Sequence, residues 1–251
     1  MLSKRRRLGQ HFLDDQYTLG KMVELAEISL EENVLEIGAG EGSLTRELCK
    51  TGAKVVSFEV DSDLFYRLIS TLHFSNLKLF NADALKSSPM FDVLVANLPY
   101  SRSREFVEWL TLRKFRRAVV MLQTDFVDKL LATSGRKHGA ISIIAQYVFS
   151  MRKEAIIPKS LFRPSPKVSS SIVIIERTGL QPTEGDLKAI KYLWSFKGKT
   201  LRSAIKIISK KRGIAAERIL NLLSKRLVDS RVPNLSPSEA FKVTEVIERA
   251  S

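Results

Sequence analysis

The sequence predicts an α/β fold: a seven-stranded sheet with helices on both faces over residues 1–177, followed by a small all-α C-terminal domain over residues 178–251. Three observations predict it. Short runs rich in Val, Ile and Leu alternate with stretches of helical periodicity, the pattern of a chain that builds βαβ units. The first such run leads directly into Gly38-Ala39-Gly40-Glu41-Gly42, a glycine cluster at a strand-to-helix turn. Beyond residues 178–186, where Gly179, Pro182 and Gly185 mark a linker, every apolar pattern is helical.

Composition narrows the classes of function. The 251 residues are 44% apolar, enough for a packed core. No apolar run approaches the ~18 residues of a membrane span. The basic run at residues 1–7 lacks the apolar stretch of a secretory signal. A lone cysteine, Cys49, excludes an internal disulfide and fits a reducing compartment. A cytoplasmic monomer with no membrane partner is therefore expected. His11, His73 and His138 are not spaced as a metal-binding pair, so no metal is expected. Charge is the strongest bulk signal, with 41 Lys+Arg against 27 Asp+Glu and a formal net of +14. Residues 178–251 alone hold 15 Lys+Arg and 7 Asp+Glu, a net +8 in 74 residues. Such a balance points to a polyanionic partner, nucleic acid before membrane.

Taken in order, Leu19, Met22, Val23 and Ala26 mark an amino-terminal helix, and Asn33–Ile37 is the first strand. The glycines after it let the backbone turn tightly and approach a ligand, and a helix beginning near Ser43 directs its amino end there. The spacing is G-x-G-x-G rather than the dinucleotide fingerprint, and Glu36 and Glu41 beside the loop repel phosphate. A cationic, phosphate-free ligand such as S-adenosylmethionine fits; an ordinary glycine-rich turn is the alternative. Residues 54–59 form the second strand. Glu59, 19 residues past Gly40, stands where a carboxylate accepts from a ribose diol. Asp61 or Ser62 caps a helix with the stripe Leu64, Phe65, Leu68, Ile69 and Leu72. Leu77–Phe80 is the third strand. It leads to Asn81-Ala82-Asp83-Ala84, where Asp83 is either an acceptor for the cofactor's adenine amine or a turn aspartate.

Residues 91–96 are the fourth strand, followed by a helix through Phe106, Val107, Leu110 and a core Trp109. Residues 118–122 are the fifth, and Gln123-Thr124-Asp125 caps the next helix. The β-branched runs at 141–149 and 169–175 read as the last two strands. Past the linker, Leu201, Ala204, Ile205 and Ile208 share one helix face and Lys199, Arg202, Lys206 and Lys210 another. That basic face suits RNA phosphates, with calmodulin-like or membrane docking as alternatives. A helix through Ile219, Leu220, Leu223 and Leu227 precedes the last one, which opens on the capping box Ser236-Pro237-Ser238-Glu239.

Asn97-Leu98-Pro99-Tyr100 ends the fourth strand. Pro99 stops the strand and biases Leu98 toward an extended backbone. An amide, two free carbonyls and an aromatic ring thus meet at a strand's carboxyl end, where open α/β sheets bind ligands. The Asn oxygen and carbonyls are acceptors for an exocyclic amine such as adenine N6. Tyr100 offers a face for stacking a base, worth ~1–3 kcal/mol; a half-buried capping ring is the alternative. No strong general base is present, and methyl transfer to nitrogen instead needs an amine lone pair held in line with a methyl donor. Two prolines stiffen Phe162-Arg163-Pro164-Ser165-Pro166-Lys167-Val168, leaving Phe162 either to stack on a target base or to act as a hydrophobic anchor. The basic loop at residues 134–139 is a phosphate contact or a solvated turn.

Five motifs, in order and spacing, carry a resemblance along nearly the whole chain. They are Gly9-Gln10-His11-Phe12-Leu13, residues 36–42 with Glu59, Asp83, Asn97-Leu98-Pro99-Tyr100, and residues 162–168. Together they resemble the ribosomal RNA adenine N6,N6-dimethyltransferases, with the KsgA-type small-subunit branch nearest. The resemblance implies a Rossmann-like S-adenosylmethionine-dependent methyltransferase sheet. It places Gln10, His11, Leu13, Gly38, Gly40, Glu59, Asp83, Ala84 and Asn97 at the cofactor. Asn97, Leu98, Pro99 and Tyr100, with Phe162, are placed at the target adenine. It also implies dimethylation of two adjacent adenosines near the 3′ end of small-subunit ribosomal RNA, on the RNA or on the pre-ribosomal small subunit. Residues 196–202 resemble the KsgA-type carboxyl-terminal segment, unlike large-subunit enzymes of the macrolide-resistance type. Those enzymes, and a non-catalytic assembly or transcription factor, are the alternatives in function; a Rossmann dehydrogenase is the alternative in fold. Three positions depart from the pattern: His11 stands where many members have Asn, Arg102 where an apolar residue is usual, and Arg104 where a small hydroxyl residue is common.

Overall fold

The computed structural model describes residues 11–250, so Gln10 and the basic run at residues 1–7 lie outside the described residues. The described residues form two compact units, 11–127 with 150–177 and 128–149 with 178–250. The sequence division at residue 177 differs in the segment 128–149, which here belongs with the C-terminal helices.

The first unit carries β1 (Phe12–Leu13), β2 (Asn33–Ile37), β3 (Lys54–Phe58), β4 (Leu77–Phe80), β5 (Val93–Asn97), β6 (Arg117–Gln123), β7 (Phe149–Ile157), β8 (Phe162–Arg163) and β9 (Ser170–Arg177). Seven of them make one mixed sheet in the order β4-β3-β2-β5-β6-β9-β7, and β1 and β8 form a separate ribbon. β2 pairs parallel with β3 and β5, and β9 runs antiparallel to β6. The chain moves outward from β2 to β3 and β4, then returns to lay β5 on the other side of β2. At such a reversal a crevice opens over the carboxyl ends of the strands.

Neighbouring residues of the central strands, such as Val34 and Leu35 or Val119 and Val120, are all buried, so both faces of the sheet are covered. On one face, Val34, Val55, Val93, Val95 and Met121 pack with Leu19 and Met22 of α1 (Gln16–Ala26) and Leu44 and Leu48 of α2 (Ser43–Cys49). Asp15 caps α1 by accepting from the Thr18 N–H at 2.9 Å. Asp61 caps α3 (Ser62–Thr71), which buries Leu64 and Leu68 but leaves Ile69 exposed. α4 (Ser103–Thr111) buries Trp109, whose ring stacks on Phe91 at 5.9 Å. α5 (Thr124–Leu131) follows β6 directly.

Residues 141–149 are not the strand that their β-branching suggested. They form α6 (Ala140–Val148), and the missing strand comes just after it, as β7. Ile141, Ile143, Ile144 and Ala145 are all buried, so the run is apolar all round and carries no period that separates helix from strand. The helix start is held by Ser142, whose Oγ accepts from the Gly139 N–H at 3.1 Å and donates to the Lys129 carbonyl at 2.5 Å.

The second unit is all-α: α6, α7 (Glu184–Trp194), α8 (Leu201–Arg212), α9 (Ala216–Leu220), α10 (Lys225–Asp229) and α11 (Pro237–Ala250). The single helix expected through Ile219 and Leu227 is two short ones, because Ser224 caps a fresh start at α10. The expected box opens α11, with Ser236 N–H donating to Glu239 Oε2 at 2.9 Å and Glu239 N–H to Ser236 Oγ at 3.3 Å. Tyr147 of α6 stacks on Phe241 of α11 with centroids 3.7 Å apart. Among the described residues no helix is long and apolar enough to cross a membrane.

Candidate active site

A cavity of about 290 Å³ opens beside the carboxyl ends of β2, β3 and β5 and the loop after β4. His11, Leu13, Gly38, Gly40, Glu59, Asp83, Ala84, Asn97, Leu98, Pro99 and Tyr100, all singled out in the sequence, line it. Phe162 does not. Its side chain is 2% exposed and belongs to the core, opposite Leu13 across the β1–β8 ribbon. The expected base-stacking ring is thus an anchor instead, because an apolar ring on a short paired strand gains more by facing inward.

The floor is the glycine loop. Gly38, Gly40 and Gly42 have φ of 81°, 58° and 85°, the left-handed region that other residues enter at a cost. At Gly42 a Cβ would also come within 2.7 Å of Leu68 Cδ2. Glu59 ties the loop down: Oε2 accepts from the Gly40 N–H and Oε1 from the Asp61 N–H, each at 2.8 Å. Burial raises its pKa, against the pull of those backbone bonds. With the Val60 N–H also bonded to it, the carboxylate keeps part of its acceptor capacity for a ligand hydroxyl.

Glu36 is not the phosphate-repelling charge that its position beside the loop suggested. It is fully buried, and its Oε2 accepts from Thr45 Oγ1 at 2.7 Å and Ser57 Oγ at 2.6 Å. Burial pushes its pKa up to about 7. Strand alternation turns it under α2, away from the cavity.

One wall of the cavity is built around Asn97. Its Nδ2 donates to the His11 carbonyl at 3.3 Å. The His11 ring lies against Tyr100, centroids 5.3 Å apart and planes 29° apart, and its Nδ1 is 2.7 Å from the Pro164 carbonyl. The Tyr100 hydroxyl is 2.7 Å from Ser170 Oγ on β9. None of these partners lies near Tyr100 or Asn97 in sequence, and no periodicity announces them. On the far wall, Asp83 accepts from Arg102, with Nη2 3.0 Å from Oδ2, and Arg102 Nε also donates to Glu105 at 2.7 Å. Arg104, the other arginine departure, points elsewhere and pairs with Glu108 at 3.2 Å.

The donor set decides what fits. The wall offers the carboxylates of Glu59 and Asp83 and the amide of Asn97, and among the described residues Arg102 is the only Lys or Arg that lines it. Such a site favours a hydroxyl-rich, amine-bearing, cationic ligand over a phosphorylated one. The family model for ribosomal RNA adenine dimethylase matches residues 1–248. The chain belongs to that family. It is 34% identical over 210 residues to ribosomal RNA small subunit methyltransferase A of Thermotoga maritima, covering 80% of this chain and 74% of that one. It is 32% identical over 246 residues to the probable ribosomal RNA small subunit methyltransferase A of Pyrococcus abyssi, covering 96% and 91%. Its structure is similar to that of a dimethyladenosine transferase from Plasmodium falciparum, with TM-score 0.81 and 25% identity over 96% of this chain and 98% of that one. The 23S rRNA methyltransferase ErmE shares the fold, with TM-score 0.66 and 23% identity over 94% of this chain and 99% of that one.

In this adenine dimethylase the basic helix α8 buries Leu201, Ala204, Ile205 and Ile208 and exposes Arg202, Lys206 and Lys210, as the stripe predicts. The three cations differ. Arg202 is held by Asp229 at 2.8 Å, which leaves Lys206 and Lys210 as the outward charges of that face, and Lys199, expected on it too, is exposed but lies just before the helix. In the loop at 134–139, Lys137 is likewise paired, with Asp128 at 3.0 Å.

Proposed function

We propose that the chain transfers methyl groups from S-adenosylmethionine to N6 of two adjacent adenosines near the 3′ end of small-subunit ribosomal RNA. The observation that carries this reading is the commitment of the Asn97 amide nitrogen to the His11 carbonyl, which leaves its oxygen for an incoming amine. The bound cofactor supplies an electrophilic methyl group on a sulfonium; the residues do the rest. Glu59 receives the ribose diol and Asp83 the adenine amine of the cofactor. Asn97 Oδ1 and the Leu98 carbonyl accept the two hydrogens of the target N6. That draws its lone pair out of the ring and toward the methyl carbon, and the contact strengthens as the transition state forms. The cavity residues belong to the unit formed by residues 11–127 and 150–177, the part of the expected 1–177 domain read here as cofactor-binding. The net +8 of residues 178–251 provides an RNA-binding domain whose phosphate contacts are electrostatic. The reading includes a cytoplasmic monomer that meets the small subunit during its biogenesis. The small-subunit assignment is supported by the names of the relatives in Thermotoga maritima and Pyrococcus abyssi.

Incubating immature small subunits and, separately, large-subunit RNA with methyl-labelled donor tests it. Label on two neighbouring adenines of the small-subunit RNA is expected. Binding without transfer, or label on large-subunit RNA alone, would overturn the reading.

A further inference from the structure

We propose that Arg102 is a positioning residue of the cofactor site: it orients the Asp83 carboxylate toward the cofactor's adenine amine and ties that contact to the loop that holds the target base. The inference rests on the reading above, that the cavity takes S-adenosylmethionine.

Asp83 follows β4, and its Oδ1 accepts from the Leu85 N–H at 3.0 Å. That single bond leaves the carboxylate free to turn. Arg102 removes the freedom, because Nη2 lies 3.0 Å from Oδ2 and 3.3 Å from Oδ1. Glu105 grips the guanidinium from the other side, with Nε 2.7 Å from Oε2 and Nη2 3.0 Å from Oε1. A carboxylate has roughly four acceptor positions. The bonds from Leu85 and Arg102 occupy three, so one on Oδ2 remains for an amine arriving along the wall formed by Asp83, Ala84, Leu85 and Arg102. Arginine suits the task because its planar fork can engage two carboxylates at once, which an ammonium does poorly. The pairing also balances charge: a lone arginine here would repel a sulfonium, and Asp83 and Glu105 compensate it.

The second link runs through the backbone. Arg102 closes the short turn Tyr100–Arg102, its N–H donating to the Pro99 carbonyl at 2.9 Å. One ion pair therefore joins the loop after β4, which meets the cofactor, to the loop after β5, which meets the target adenine. Ligands that each stabilise the same bridge must strengthen each other's binding by an equal factor.

Calorimetry with S-adenosylhomocysteine, which cannot turn over, tests the proposal on the full chain and on Arg102→Ile, Asp83→Ala and the double variant. Arg102→Ile should weaken binding by about 5-fold or more, the low end of coupling between linked groups. The double variant should bind no worse than Asp83→Ala, because Arg102 acts through Asp83. Arg102→Lys should fall between wild type and Arg102→Ile. In turnover on immature small subunits, KM for the donor should rise more than kcat falls. The product should also tighten binding of those subunits less in Arg102→Ile than in wild type. Unchanged or tighter binding by Arg102→Ile, or additive losses in the double variant, would overturn the proposal. Failure of the wild-type chain to bind S-adenosylhomocysteine would instead sink the reading on which it rests.

Discussion

The side chain of Asn97 donates from Nδ2 to the backbone carbonyl of His11 across 86 positions of sequence. A carbonyl can only accept, so the amide has one orientation, its oxygen outside that bond, and Asn97 lines the cavity. A backbone carbonyl near the amino terminus thus sets the orientation of the Asn97 amide. The departure at His11 leaves this untouched, because the backbone and not the imidazole makes the bond.

Asn97→Ala should lower kcat by ~100-fold or more, the scale for losing a preorganised polar contact in the transition state. Affinity for immature small subunits should fall little. Asn97→Asp should not rescue turnover, because its second oxygen would face the His11 carbonyl, acceptor against acceptor. Single-turnover methyl transfer and a parallel binding assay check both, and an active Asn97→Asp would disprove the orientation.

Tyr100 is fixed by its hydroxyl as well as by its ring. Burial pushes the phenol pKa up, and the protonated hydroxyl shares a hydrogen bond with Ser170 Oγ in which either oxygen can donate. Tyr100→Phe should lose one hydrogen bond, ~1 kcal/mol of stability, while keeping the ring that stacks with His11. Most activity should remain. Tyr100→Ala removes the stacking platform and should lose both capture of the base and rate. A Phe variant as inactive as the Ala variant would mean that the hydroxyl carries the chemistry.

Glu59→Ala should weaken S-adenosylmethionine by ~1.5–3 kcal/mol through loss of a charge-assisted contact to the diol. Its carboxylate also holds the N–H groups of Gly40 and Asp61, so the melting temperature should drop too. Glu59→Gln keeps one acceptor and should lose less on both counts. Affinity for immature small subunits should not change; a loss there equal to the loss in cofactor binding would refute the assignment.

Glu36 makes stability depend on pH. Its folded-state pKa of about 7 lies above the ordinary 4.5, so between those values the folded chain holds a proton that the unfolded chain has lost. The stabilisation is full below pH 4.5 and is lost as pH rises through about 7, at up to about 1.4 kcal/mol per pH unit. Glu36→Gln preserves an acceptor for Thr45 and Ser57 and abolishes the titration. Denaturant melts from pH 5 to 8 should show the variant gaining on wild type as pH rises. A constant difference would show that Glu36 does not titrate in this window.

On α8, Lys206→Ala and Lys210→Ala should each flatten the salt dependence of RNA binding by roughly 0.7–0.9 in log–log slope. Arg202→Ala should do less, because Asp229 already holds the guanidinium. Filter binding across a salt series distinguishes a phosphate contact from a solvated face, whose removal leaves the slope alone.

Much of this protein was legible in the chain itself. The strands at Asn33–Ile37 and Val93–Asn97, the glycine turn, the carboxylates at Glu59 and Asp83 and the two-faced helix α8 all announce themselves through period, glycine or spacing. These are local properties, and local sterics and hydrophobic alternation decide them before any long-range contact forms. Tertiary structure decided the rest. Residues 141–148 form a helix that their sequence did not announce, because a mostly apolar, mostly buried run carries no period that separates helix from strand. Glu36 became a buried, proton-holding group because pleating turned it beneath α2. Phe162 became an anchor because β8 found β1. Arg102 became part of the cavity wall because two loops separate in sequence end side by side above one sheet. The sequence determined which chemical groups stand at the strand ends; only the closing of the sheet determined which of them touch, because hydrogen bonds and ion pairs act over a few ångströms and their partners lie up to 153 residues apart.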